Sequence, residues 1–358
     1  MKIAIQHEFL NVDSDGHVTG HEAGDTLVRR LLRVFPGAQL VGPRTHRYAD
    51  FDMVPLGMID AENTVLINMD VVNSVEAHRA LLATCPKPKI MNFVWWNEDR
   101  FTDDVEVAQI ALSCALFPTF TNSDRTTSGI GALVKNLTVQ QLSEQAHITG
   151  VNLGIRMEHV QPREETDVPV VLYPAIYVTE RKQPDMFIDI VERVAKRTPI
   201  KVEARLAESH LVSAPAMRLG AKHWAKVGPL LPSREDYWKS LARTTAFVAT
   251  AKEESYGLEY VEALVAGVIG IFPDADWAHA LVPERYPFFY RGVSEAEGLL
   301  LKAVQDPAAC RAEIDQAVGQ PFSDWLNAHH NDDNFETAIA DAIEKWFGKV
   351  DNVNRPKR

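Results

Sequence analysis

Cysteine is scarce in this chain: Cys85, Cys114 and Cys310 are three, far apart and odd in number. They build no disulfide framework and read as buried or incidental thiols of a reducing compartment. No apolar run approaches the roughly 20 residues that a membrane helix needs. No secretory leader is read either, because Met1-Lys2-Ile3-Ala4-Ile5 leads straight into a strand. The expected location is cytoplasmic. Positive charge is also short, with 37 Lys and Arg against 49 Asp and Glu and a formal net charge of −12. That balance argues against a broad electropositive face for nucleic acid or anionic lipid, while leaving room for a local basic cleft. There is no internal repeat and no low-complexity tract.

What is present is an ordinary globular composition, 46% hydrophobic and 24% charged, over 358 residues. That length suits two domains of roughly 150–200 residues each. The first half alternates short apolar runs with amphipathic segments. Strands are expected at Lys2–Gln6, Ala38–Val41, Thr64–Met69, Lys89–Trp95 and Phe117–Thr121, with helices at Asp25–Phe35 and Ser74–Thr84. The polar stretch Gln161–Asp167 is a candidate linker. After it the alternation restarts: Val168–Leu172, Ile200–Ala204, Ala246–Thr250 and Val268–Phe272 as strands, and Asp185–Lys196, Ser233–Arg243 and Glu259–Ala266 as helices. Ser233 and Asp236 are placed to cap the second of these helices. Near the end, Phe335, Ile339, Ile343 and Phe347 recur every four residues, which predicts a helix over Asn334–Phe347. Strands alternating with helices imply mostly parallel sheets. In such sheets ligands sit beyond the carboxyl ends of the strands.

The stretch after Ala246–Thr250 is the most informative. "KEESYGLEYVEALVAG", residues 252–267, places Glu254 before a Ser-Tyr-Gly-Leu bend and Glu262 about one turn inside the following helix. Gly257 permits a positive φ or close backbone approach. The first N–H groups of that helix favour an anion. A carboxylate such as Glu262 is a good bidentate acceptor for vicinal hydroxyls, so phosphate on the amides with a ribose on Glu262 makes chemical sense. On spacing alone, two solvated, helix-favouring acids account for the pattern equally well.

The run from Glu254 through Glu262 to Ala263-Leu-Val-Ala-Gly267 resembles the nucleotide-sugar signature of retaining glycosyltransferases of the GT-B fold (glycosyl transferases group 1). That signature is Glu, seven residues, Glu, with an aromatic-Gly-Leu inside and Ala-hydrophobic-Ala-x-Gly after. The match covers about eighteen residues. "Asn152-Leu-Gly154-Ile-Arg156…Pro162" resembles the segment that closes the family's first domain. The resemblance implies an α/β fold of two Rossmann-like domains facing each other across a cleft. The expected division is 1–160, completed by 334–358, and 161–333 as the nucleotide-sugar domain, with closure over the sugar donor. It carries an approach to the donor sugar to Glu254 and ribose binding to Glu262. Ser255, Tyr256, Gly257 and Leu258 are expected at the diphosphate or sugar. The family also holds the diphosphate with an Arg and a Lys; Lys182 is kept, Ala175 or Ile176 stands where the Arg is expected, and Arg181 is the candidate substitute. The plainer reading of Arg181 and Lys182 is a solvated pair at a helix start.

In the first half, "Thr19-Gly20-His21-Glu22" resembles the family's Gly-Gly-x-Glu loop, which makes Gly20 a donor-binding candidate. The overlapping Asn11–Glu22 segment also fits an EF-hand calcium loop at several positions, although a strand rather than a helix leads in. Asp13-Ser-Asp15 and Asp274-Ala-Asp276 read as Asp-x-Asp, the metal ligand of the other glycosyltransferase fold, but neither stands in that fold's context. The GT-B reading needs no metal and no cofactor beyond a nucleotide-diphosphate sugar as co-substrate. Polar groups near the anomeric carbon are sought in Asn97 and Glu98, which follow Trp95 and Trp96 and lack the family's histidine, and in His7. Their plainer readings are a core tryptophan and a satisfied structural histidine. Asn122-Ser123-Asp124-Arg125 resembles a family serine loop, but a helix cap is the favoured reading. The implied activity is transfer of a hexosyl group with retention to an unidentified acceptor, a small molecule or glycan being favoured and a modified nucleic-acid base open. A non-catalytic nucleotide-sugar-binding protein, or an epimerase or phosphorylase on the same fold, is the alternative.

Overall fold

The structure, a computed structural model, describes residues 1–356 apart from 9, 21, 22, 97–100 and 102. The chain divides into two compact units, Met1–Leu153 with Asp333–Arg358, and Gly154–Asp332. The crossing points lie at 153/154 and 332/333, so the expected linker Gln161–Asp167 falls inside the second unit. There it is a strap rather than a free connection. Arg163 Nη1 donates to the carbonyls of Leu241 (3.2 Å) and Thr244 (2.6 Å), which lie at the end of the helix Arg234–Arg243. A polar composition hid this role, because the partners of Arg163 are backbone atoms far along the chain.

Among the described residues, the first unit carries an eight-stranded sheet: β1 (Lys2–Gln6), β2 (Gln39–Val41), β3 (His46–Arg47), β4 (Asp52–Val54), β5 (Thr64–Asn68), β6 (Lys89–Val94), β7 (Thr119–Thr121) and β8 (Ile148–Gly150). Their order is β3-β4-β2-β1-β5-β6-β7-β8, parallel throughout except for the β3–β4 pair. Every residue of β5 is buried, as expected of a parallel strand covered on both faces. β7 starts two residues later than the apolar run Phe117–Thr121 suggests, since Pro118 offers no N–H to a ladder. The helix Asp104–Leu116 was not read from sequence, because its apolar residues surround the axis instead of forming one stripe. The helix Asp332–Phe347 belongs to this unit from Asp333 onward. Its Phe335, Ile339 and Ile343 are fully buried, and the Phe335 ring lies 6.0 Å from those of both Phe93 and Phe120. Phe347, the last member of the stripe, is half-buried where the chain leaves the core.

The second unit has six parallel strands: β9 (Val170–Tyr173), β10 (Lys201–Leu206), β11 (Ala225–Pro229), β12 (Ala246–Val248), β13 (Ile269–Pro273) and β14 (Phe289–Tyr290), in the order β11-β10-β9-β12-β13-β14. Strand order therefore reverses direction between β1 and β5 in the first unit and between β9 and β12 in the second. At such switch points the connections leave on opposite sides and open a crevice beyond the strand ends. His7 follows β1 and Asp70 follows β5; Lys182 follows β9 and Glu254 follows β12.

Candidate functional site

The second unit's switch point is built around a buried ammonium. Lys182 follows β9 in a single turn of 3-10 helix, Glu180–Lys182, and the next residue, Gln183, is left-handed at φ 46°. Pro184 disfavours helical backbone at the residue before it, so the turn ends there before the helix Pro184–Ala195 begins. The Lys182 carbonyl accepts the Thr250 hydroxyl at 2.8 Å, and the Arg181 carbonyl accepts the Lys252 N–H at 2.8 Å. These bonds stitch the loop after β9 to the loop after β12. The Lys182 side chain then turns inward and binds two carboxylates, Glu254 and, at 2.6 Å, Glu259. Burial disfavours its charge, but Glu259 and Glu254 outweigh that and hold its pKa above the usual lysine value. Glu254 also accepts the Tyr260 hydroxyl at 3.2 Å, and burial pushes its carboxyl upward.

Gly257 lies between these groups at φ +77°, directly ahead of the helix Leu258–Val265. A Cβ there would stand 2.6 Å from the Tyr260 ring and 3.3 Å from Leu281. The Tyr260 ring is 1% exposed and has nowhere to move. Gly257→Ala is therefore expected to cost about 2 kcal/mol or more from the left-handed backbone and the ring contact together. Displacing the ring would also break its bond to Glu254, so a chemical melt and a nucleotide-binding titration should both register the change. Tyr256 turns away from the helix start: its hydroxyl meets Nδ1 of the fully buried His330 at 2.7 Å, while His330 Nε2 donates to the Leu281 carbonyl at 3.0 Å. Ser255 and Leu258 are half-buried on either side.

One turn into the helix, Glu262 is 6% exposed and engaged at both oxygens. Arg234 donates to Oε1 at 2.5 Å and the Tyr237 hydroxyl to Oε2 at 2.9 Å. Both partners come from the helix Arg234–Arg243, whose first turn Ser233 caps by accepting the Asp236 N–H at 3.0 Å. The Arg234 guanidinium also lies 4.9 Å over the Tyr237 ring. Burial and the adjacent Glu262 raise the Tyr237 phenol well above its ordinary pKa, keeping it a proton donor. Arg234, Tyr237, Glu259, Tyr260 and His330 were not singled out from sequence. The available signal for the first two was their i, i+3 spacing directly after the cap.

The other expected residues distribute as follows. Arg181 is more than half exposed, with its guanidinium 3.9 Å from Glu254, and Ala175 is buried. Asp274 is bound by His279 and Arg291, each at 2.8 Å.

In the first unit, His7 Nδ1 lies 3.3 Å from Asp70 Oδ1, and its ring meets that of Trp95 edge-on at 5.9 Å. Trp96 is the core member of the tryptophan pair, packed on Phe101 at 4.5 Å. Asn97 and Glu98 lie outside the described residues. Gly20 abuts the buried carboxylate of Asp25, and its carbonyl accepts Arg29 at 2.7 Å. The described part of the Asn11–Glu22 segment, residues 11–20, is a hairpin-like loop with a Val12–Val18 bridge, and the strand β1, not a helix, precedes it. The Asp13 carboxylate there accepts the N–H groups of Asp15 (3.0 Å) and His17 (2.8 Å). Ser123 acts as a cap, accepting the Thr126 N–H at 3.1 Å.

No family model matches the sequence. Solved structures do match along nearly the whole chain. Sucrose-phosphate synthase from Thermosynechococcus elongatus is 12% identical with a TM-score of 0.69, covering 97% of this chain and 99% of that one. HepE of Anabaena, solved with UDP and glucose, is 10% identical at 0.69, covering 96% and 99%. The lipopolysaccharide outer core galactosyltransferase WaaB, in its apo form, is 15% identical at 0.66, covering 97% and 100%. With two parallel-sheet units and this correspondence over their full length, the chain has the GT-B fold.

Proposed function

We propose that the chain is a glycosyltransferase that moves a sugar from a nucleotide-diphosphate sugar to an acceptor, with retention at the anomeric carbon and without a resident metal ion. The observation that carries this is the arrangement at the second unit's switch point. A left-handed Gly257 opens a helix flanked by Glu254 and Glu262, with the ammonium of Lys182 bound to Glu254. In this reading Lys182 and the first amides of the helix meet the diphosphate. Glu262, held by Arg234 and Tyr237, presents its remaining lone pairs to the ribose hydroxyls. Glu254 approaches the donor sugar, and Lys182 offsets charge that develops on the leaving diphosphate. Arg181 takes the second cationic position. His7 is the polar candidate on the acceptor side, its ring set by Asp70. HepE, solved with UDP-glucose, adds support for a nucleotide-sugar donor. No helix among the described residues is long and apolar enough to cross a membrane.

Two substitutions separate binding from turnover. Glu262→Ala removes charge-assisted bonds to the ribose and is expected to raise Kd for UDP, GDP or ADP by about 10- to 100-fold. Glu254→Ala is expected to lower sugar transfer and hydrolysis far more than donor affinity. Calorimetric titration with the three nucleotides, followed by a hydrolysis assay on the matching sugars, checks both. If both variants bind and turn over like wild type, the assignment fails. Stabilisation by one nucleotide sugar without any turnover would instead support a non-catalytic binding protein.

A further inference from the structure

Glu259 is the second residue of the helix Leu258–Val265, and its carboxylate lies 2.6 Å from Lys182 Nζ. It thus sits on both features that an incoming diphosphate needs, the positive end of the helix and the buried ammonium. The two carboxylates on Lys182 differ in their freedom. Glu254 is 5% exposed and also held by the Tyr260 hydroxyl. The Glu259 side chain is 32% exposed, and its carboxylate pairs with Lys182. The cation itself is anchored, because its backbone carbonyl takes the Thr250 hydroxyl. An anion entering here leaves Lys182 and Glu254 in place and swings one partly solvated side chain aside.

We infer that Glu259 is an internal stand-in for the donor's phosphate, occupying the anion position of the free protein and leaving it when the nucleotide binds. This rests on the donor reading given above and adds a determinant of affinity to it. Glu259 neutralises Lys182 in the free state and sets a threshold that a singly charged or neutral ligand does not overcome. A diphosphate, with two linked anionic groups, reaches both the helix amides and the ammonium and displaces it.

The test is a gain of binding. Glu259→Gln keeps the shape and removes the charge; Glu259→Thr removes the reach. Titration of wild type and both variants with UDP, GDP, ADP and inorganic pyrophosphate is expected to show roughly tenfold tighter binding in each variant, the effect of deleting one competing charge pair. Binding that is detectable only in the variants supports the inference equally. If wild type binds a nucleotide and the variants bind it no more tightly, Glu259 is a structural partner of Lys182; the inference falls while the donor reading stands. If neither wild type nor either variant binds any of the four probes, both fall together. Melting temperatures of the variants accompany the titration, because a purely structural role predicts loss of stability with no gain in affinity.

Discussion

Replacement of Lys182 by methionine is expected to unfold the second unit's switch point and abolish nucleotide binding together. Lys182 is 8% exposed and neutralises Glu254, which is 5% exposed. Removing one member of a buried ion pair leaves the other charge uncompensated and costs about 3–5 kcal/mol. The size of the loss should depend on pH in a way that identifies its cause. Burial already raises the Glu254 carboxyl, and without Lys182 it rises further. A group with a raised folded pKa binds protons more readily when folded, so its contribution improves as pH falls. The deficit of Lys182→Met against wild type should therefore be largest near neutral pH and shrink under acid, as measured by urea melts at pH 7 and pH 5. A deficit that stays constant across that range would show that packing, not an orphaned carboxylate, is responsible. Donor affinity, in contrast, should not recover under acid, because the cation proposed to meet the diphosphate is gone.

The second large effect belongs to His330. Burial lowers this imidazole to about 4, with Tyr256 bonded at Nδ1 and the Leu281 carbonyl at Nε2. Its folded pKa lies below its unfolded value, so its contribution is fully present above about 6.5 and is lost as pH falls toward 4. The linked change amounts to about 3 kcal/mol. Protonation also converts Nδ1 into a donor and breaks the acceptor bond from Tyr256, which forms part of the Glu254–Gly257 turn. Stability and nucleotide affinity should thus fall together between pH 6.5 and 4. His330→Phe, compared with wild type by thermal melts through the same range, should flatten this component of the profile. If wild type and the variant lose stability in parallel, His330 is not the group that titrates.

The position of these groups explains what sequence reading reached. Periodicity located β1, β5 and β6 to within a residue at each end, since their buried runs are long and continuous. Short or two-residue strands such as β3 and β14 carry too few residues for any period, and β11 ends in a proline. The signature residues Glu254, Gly257 and Glu262 are close in sequence, so their relation was visible as spacing. Lys182 was reached through the family resemblance, which places a lysine after the first strand of the second domain. Arg234 and Tyr237 are 28 and 25 residues from the carboxylate they hold. Likewise, 74 residues separate Tyr256 from His330. Nothing local marks such pairs.

By itself, then, the sequence determined the alternation of strands and helices, the two-unit α/β plan and the turn between two acids, because each is written in residue types within a few positions of one another. The tertiary structure decided which partners those acids have. Glu254 shares a buried lysine with an unforeseen Glu259, Glu262 is clamped at both oxygens, and the tyrosine of the turn is tied to a buried histidine. Each of these depends on β9, β12 and the helix Arg234–Arg243 converging at one end of a sheet, and side-chain charge is paired by that convergence in space, not by order along the chain.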